Sequence, residues 1–129
     1  MNTKPYPVNR ELLQKLDFEA LGREMRSEEA YERTLKTART LVRGSQLTIV
    51  LVALKEGAIL REHHSSGPAT AVVIEGEIEF ICPDEQKTFE LISSQSVVFS
   101  SAINHSVSAK KETLLLVIFG QKEPAILDA

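Results

Sequence analysis

Between Gln46 and Phe119 the chain is cut into short apolar runs, and this constrains its fold more than any other feature. Gln46–Leu54 reads QLTIVLVAL and Thr113–Phe119 reads TLLLVIF, both rich in leucine and β-branched residues. Between them stand Ala58–Glu62, Thr70–Glu75, Glu77–Cys82, Lys87–Leu91, Ser96–Ser100 and His105–Ala109, most of them separated by Gly, Pro, Ser, Asn or Asp. β-Branched residues suit a pleated surface, and the separators supply turns. Thr34–Val42 adds one run upstream, closed by Gly44-Ser45. Many short strands after a brief helical start predict an all-β antiparallel sandwich or barrel.

The N-terminal third reads differently. Residues 1–8, MNTKPYPV, hold two prolines and are expected to be extended. Asn9 is a candidate N-cap, with Leu12, Leu13 and Leu16 on one face of a short helix. Residues 17–33 are heavily charged and leave their conformation open. Ser27-Glu28-Glu29 there has the pattern of a cap followed by acidic residues at a helix start. The division expected is an N-terminal extension with a short helix over 1–33 and a barrel over 34–129, within one domain.

Composition excludes several classes. Net charge is −3, with +2 over residues 1–43 and −5 over the rest, so neither nucleic acid nor an anionic membrane is an expected partner. There is no apolar signal segment, and the longest apolar run, Leu114 to Phe119, is far short of a membrane span. A single cysteine, Cys82, excludes an internal disulfide and fits the cytoplasm. The runs at 47–54 and 114–119 do not alternate, so both of their faces need cover. A homodimer is expected, with the N-terminal segment sharing that role.

The candidate chemistry rests on three histidines: His63, His64 and His105. Taken with the glycines around them, they make the chain resemble a small single-domain cupin of the RmlC-like jelly-roll superfamily. The two cupin motifs read G-x5-H-x-H-x3,4-E-x6-G and G-x5-P-x-G-x2-H-x3-N. Gly57 is followed by AILRE and then His63, Gly76 closes the first motif, and His105 stands at the histidine of the second. The resemblance covers roughly residues 44–120 and implies a double-stranded β-helix, or jelly-roll barrel.

The departures bear on the metal that such motifs carry. Ser65 stands at the second histidine position and Ala69 at the glutamate position. In the second motif Ser94, Ser100 and Ala102 replace Gly, Pro and Gly, and Ala109 replaces Asn. Of three histidines and a glutamate, only His63 and His105 remain. Two imidazoles make a weak, exchangeable site, because tight first-row sites use three or more protein ligands. No resident cofactor is expected, beyond a weakly bound divalent transition metal on His63 and His105. Strand alternation aims His64 away unless a bulge at Ser65-Ser66-Gly67 turns it inward.

The main reading is a cupin-fold module that binds a small molecule through His63, Ser65 and His105 without a full metal site. Ser65 or Ser100 could supply the hydrogen bonds that buried imidazoles need. The alternative is a metal-dependent enzyme of dioxygenase, isomerase or decarboxylase type, using His63, His105 and an unusual third ligand. Metal-free acid–base catalysis and a sensor role are further readings that the fold permits. Cys82 reads as a packing residue, Glu75, Glu77 and Glu79 as a solvated hairpin face, and Arg39, Arg43 and Arg61 as surface or interface residues.

Overall fold

The computed structural model describes residues 4–63 and 67–120, with Glu62 and His63 described as backbone only. Among the described residues, ten strands and two helices run in the order β1 (Tyr6–Pro7), α1 (Phe18–Arg26), α2 (Glu29–Thr34), β2 (Lys36–Arg43), β3 (Leu47–Leu54), β4 (Ile59–His63), β5 (Ala69–Glu75), β6 (Glu77–Cys82), β7 (Lys87–Ile92), β8 (Ser96–Phe99), β9 (His105–Ala109) and β10 (Thr113–Gly120). They form a six-stranded sheet ordered β1-β2-β3-β10-β5-β8 and a four-stranded sheet ordered β4-β9-β6-β7. Neighbours are antiparallel except for the short parallel pair of β1 and β2. Two facing antiparallel sheets connected in this way form a jelly roll.

Burial follows residue parity. Strands β6 and β9 alternate, burying Ile78, Phe80 and Cys82 from one and His105, Val107 and Ala109 from the other. Strands β3 and β10 are buried on both faces, and the two faces serve different cores. Val52, Leu54 and Leu115 join the barrel interior, while Leu51, Ala53, Leu114 and Leu116 join a second core on the outside of the larger sheet. Each fully buried leucine of this kind contributes about 1.5–3 kcal/mol.

The N-terminal segment covers that outer face. Met25 and Tyr31 are buried there, with Leu12, Leu16, Phe18 and Leu21 packed around them. Helix α1 sets Phe18, Leu21, Gly22 and Met25 on one stripe by their spacing of three and four. Gly22 is close-packed, since a Cβ there would sit 3.0 Å from Leu114 Cδ2. Asp17 caps the helix by accepting from the Ala20 N–H at 3.1 Å.

Two expectations for this segment need correction. The stretch after Asn9 is not a helix. The Asn9 side chain accepts from the Glu11 N–H at 2.9 Å and its carbonyl from the Leu12 N–H at 3.1 Å, which closes one turn. Leu12 and Leu16 still pack inward, but Leu13 is 95% exposed. A helix does follow Ser27, as expected, but Ser27 does not cap it: Ser27 is the C-cap of α1, and α2 starts from Glu28 without a side-chain cap. Leu35 ends α2 in the left-handed region at φ 68°, donating its N–H to the Tyr31 carbonyl.

Arg39 also departs from the surface role expected of it. It is only 9% exposed, and its guanidinium donates to Glu24 at 2.7 Å and Glu28 at 2.8 Å. Burial opposes its charge, yet the two helix carboxylates outweigh that and raise its pKa. Arg39 therefore ties β2 to the first helix and the start of the second. Arg43 and Arg61 are exposed, as expected.

At the other end of α1, Arg26 donates to Glu75 at 2.7 Å, and the Tyr31 hydroxyl donates to Glu112 at 2.8 Å. Burial first, and then the Glu112 carboxylate that holds its proton, push the Tyr31 phenol up to about 12.

Candidate functional site

His105 opens β9 on the inner wall of the barrel and is 4% exposed. Its Nδ1 lies 3.1 Å from the Ile103 carbonyl. A carbonyl only accepts, so Nδ1 donates, and in the neutral ring Nε2 is then the acceptor nitrogen. The loop before it is tied down: Ala102 N–H donates to Ser100 Oγ, and Asn104 Nδ2 donates to Asp84 Oδ2 at 3.1 Å.

Two phenylalanines hold the imidazole. The Phe80 ring stacks on it with centroids 4.8 Å apart, and the Phe99 ring meets it tilted at 4.6 Å. The two phenylalanine rings touch each other at 5.1 Å. The sequence reading missed this pair. The alternation of EIEFIC, which sends Phe80 to the same side as Ile78 and Cys82, was the available signal.

Beside His105 lies a cavity of about 150 Å³. Val50, Val52, Leu60, Ala71, Leu115 and Phe119 contribute to its wall together with Phe80 and Phe99. Among the described lining residues His105 alone carries a polar side chain. The cavity is thus an apolar chamber with one imidazole in its wall.

His63 pairs with His105 in the β4–β9 ladder. The register slips by one residue between Leu60 and His63, since three residues of β4 span two of β9. A bulge of this kind re-aims the chain locally. It lies before His63; the bulge considered at Ser65-Ser66-Gly67 falls on a stretch that is not fully within the described residues. His64 and Ser65 lie outside the described residues.

Among the described residues, no set of side chains fits a tightly held metal. Ala69, at the motif glutamate position, is 4% exposed in the barrel core and offers only a methyl group there. Glu75 is turned to the outer side, paired with Arg26. Glu79 and Glu77 pair with Lys110 and Lys111 along the hairpin. Among the described residues no three His, Cys, Asp or Glu side chains converge. Cys82 is buried, and that burial followed by the charge of Glu85 pushes its thiol up, away from thiolate chemistry.

Two motif positions explain themselves in the backbone. Gly76, in the β5–β6 turn, has φ +107°, and a Cβ there would fall on Thr113 Oγ1 and the Glu112 carbonyl. Ser94, where the second motif carries glycine, has φ +68°, so this site has kept the left-handed turn without the residue that suits it.

Solved structures agree with this architecture. The chain is similar to a conserved protein of unknown function from Streptococcus pyogenes, with 25% identity and a TM-score of 0.70 over 95% of this chain and 100% of that one. A cupin superfamily protein from Desulfitobacterium hafniense matches with 16% identity and a TM-score of 0.69, again over 95% and 100%. A variant of salicylate 1,2-dioxygenase from Pseudoaminobacter salicylatoxidans matches with 16% identity and a TM-score of 0.71, over 81% of this chain and 34% of that one. No protein-family model matches the sequence, and no curated protein sequence matches it. The chain has the cupin fold, a small jelly-roll barrel. Among the described residues no helix is long and apolar enough to cross a membrane.

Proposed function

We propose that this protein binds a small, largely apolar organic molecule inside the barrel, against His105 and without a full metal site. The observation that carries the reading is the chamber itself. An apolar cavity of about 150 Å³ is the size that takes up benzene. Here such a space is walled by aliphatic and aromatic side chains, with one imidazole fixed by Phe80, Phe99 and the Ile103 carbonyl. Ligand sites have this character, apolar with a few placed polar groups. In this reading His63 and Ser65 join His105 as ligand contacts.

We further propose that the protein is a cytoplasmic homodimer. Tyr6, Val8 and Leu13 leave apolar surface exposed beside β1, an edge of the larger sheet, and a second copy would cover it.

Titration with toluene, followed by NMR, tests the cavity. Saturable binding is expected in the wild type, and Ala71→Leu, which fills the wall from β5, is expected to abolish it while the protein stays folded. Absence of saturable binding, or binding indifferent to Ala71→Leu, would contradict the reading.

A further inference from the structure

Phe80 and Phe99 line two spaces at once. On one side is the barrel chamber; on the other is an open groove of about 290 Å³. The groove lies where the two sheets present their edge strands, β7 from the four-stranded sheet and β8 from the six-stranded one. Phe89 of β7 and Val97 and Val98 of β8 line it, together with Cys82 and Ile103. Phe89 is 42% and Val98 76% exposed, so the groove is apolar surface held open to water.

We infer that the chamber continues past the phenylalanine pair into this groove, that one elongated neutral molecule occupies both, and that Phe99 sets how long that molecule can be. The inference rests on the reading of the chamber as a ligand site. Phe99 is the last residue of a four-residue edge strand, and Ser100 after it begins a loop. It is therefore the partner freer to change rotamer, whereas Phe80 is held within β6 between β7 and β9. With the partition turned aside, the joined space enters the range of ordinary ligand pockets, about 300–1,000 Å³. Exposed Glu85 and Lys87 line the outer groove with one charge of each sign, which suits an uncharged polar end such as a hydroxyl. The chemical class is thus a ring carrying a short alkyl chain that ends in a neutral polar group.

Calorimetric titration with toluene and with 4-phenylbutan-1-ol tests this. Toluene needs only the chamber; the alcohol needs the chamber and the groove. Phe99→Ala is expected to raise affinity for the alcohol tenfold or more. Adding Phe89→Ser, at an exposed groove position, is expected to remove most of that gain and to leave toluene binding within twofold. An alcohol affinity unmoved by Phe99→Ala, or a gain that survives Phe89→Ser, overturns the inference while toluene binding keeps the chamber reading intact. Should Phe99→Ala fail to fold, Phe99→Leu and Phe89→Ser alone carry the same contrast. A wild type that takes up no toluene overturns both. If Phe89→Ser dissociates a dimer and the alcohol never binds, the groove belongs to a second copy and the inference falls.

Discussion

The imidazole of His105 lies nearly parallel to the ring of Phe80, 14° between planes and 4.8 Å between centroids. Such a stack is worth about 0.5–1.5 kcal/mol beyond burial, and it fixes which way the imidazole, the one polar side chain among the described residues that line the chamber, points. His105→Ala is expected to cost about 2–4 kcal/mol, as large-to-small changes in a packed core do. His105→Phe keeps a ring against Phe80 and is expected to cost about half as much or less. Denaturant unfolding of both variants checks this. Equal losses would show that the stack is not what holds the residue.

A second prediction concerns the β5–β6 turn. Gly76→Ala must place a methyl group on Thr113 and the Glu112 carbonyl at a positive φ. A loss of about 2–4 kcal/mol is expected. Ser94 poses the reverse case, a serine already strained at φ +68°. Ser94→Gly removes a strain of about 1–2 kcal/mol and loses part of it to the freer unfolded chain, for a net gain of about 0.5–1 kcal/mol. Paired thermal melts would show the two glycine positions responding with opposite signs.

The Tyr31 hydroxyl makes stability sensitive to high pH. Its folded pKa of about 12 stands above the usual 10. A raised pKa means that the protonated phenol is favoured in the fold. Its contribution is complete below pH 10 and fades as pH climbs through 12. Two pH units correspond to about 2–3 kcal/mol. Since lysines also titrate there, the check is the difference between wild type and Tyr31→Phe. That difference is expected to shrink from pH 9 to pH 12.

Arg39 yields a fourth prediction. Arg39→Ala leaves Glu24 and Glu28 facing each other without their cation, and it opens a void between β2 and α1. A loss of about 2–4 kcal/mol is expected. Burial opposes the Glu28 charge, but Thr37 and Arg39 outweigh it and depress the pKa. Stability from this pair is present above the usual carboxylate range and lost as pH falls through the depressed value. Glu28→Gln is expected to flatten that acid limb, measured by unfolding between pH 3 and pH 6.

Much of the barrel was legible because strand signals are local. The runs at 77–82 and 105–109 match β6 and β9 to the residue, and the other barrel strands differ from their predicted runs by one or two residues at an end. The inward placement of His105 was legible only through the resemblance, because it stands at the histidine position of the second motif. The N-terminal third was less so. The leucines at 12, 13 and 16 have helical spacing, but Asn9 closes a turn instead and the helix begins only at Phe18, capped by Asp17. Burial of Arg39 depends on carboxylates 11 and 15 residues away that only the folded helices bring near. The aromatic clamp is of the same kind. Phe80, Phe99 and His105 lie on three different strands, and no local pattern announces their meeting.

The central claim is that this barrel holds an organic molecule against His105 and not a metal ion. Elemental analysis of the purified, untagged protein tests it most directly, before and after incubation with zinc, iron, nickel and manganese, with His63→Ala and His105→Ala alongside. Metal well below one equivalent, with no difference among the three proteins, is the result expected from a site whose glutamate position is Ala69. Near-stoichiometric metal in the wild type, lost in both variants, would contradict the account and make His63 and His105 ligands of a rebuilt metal centre.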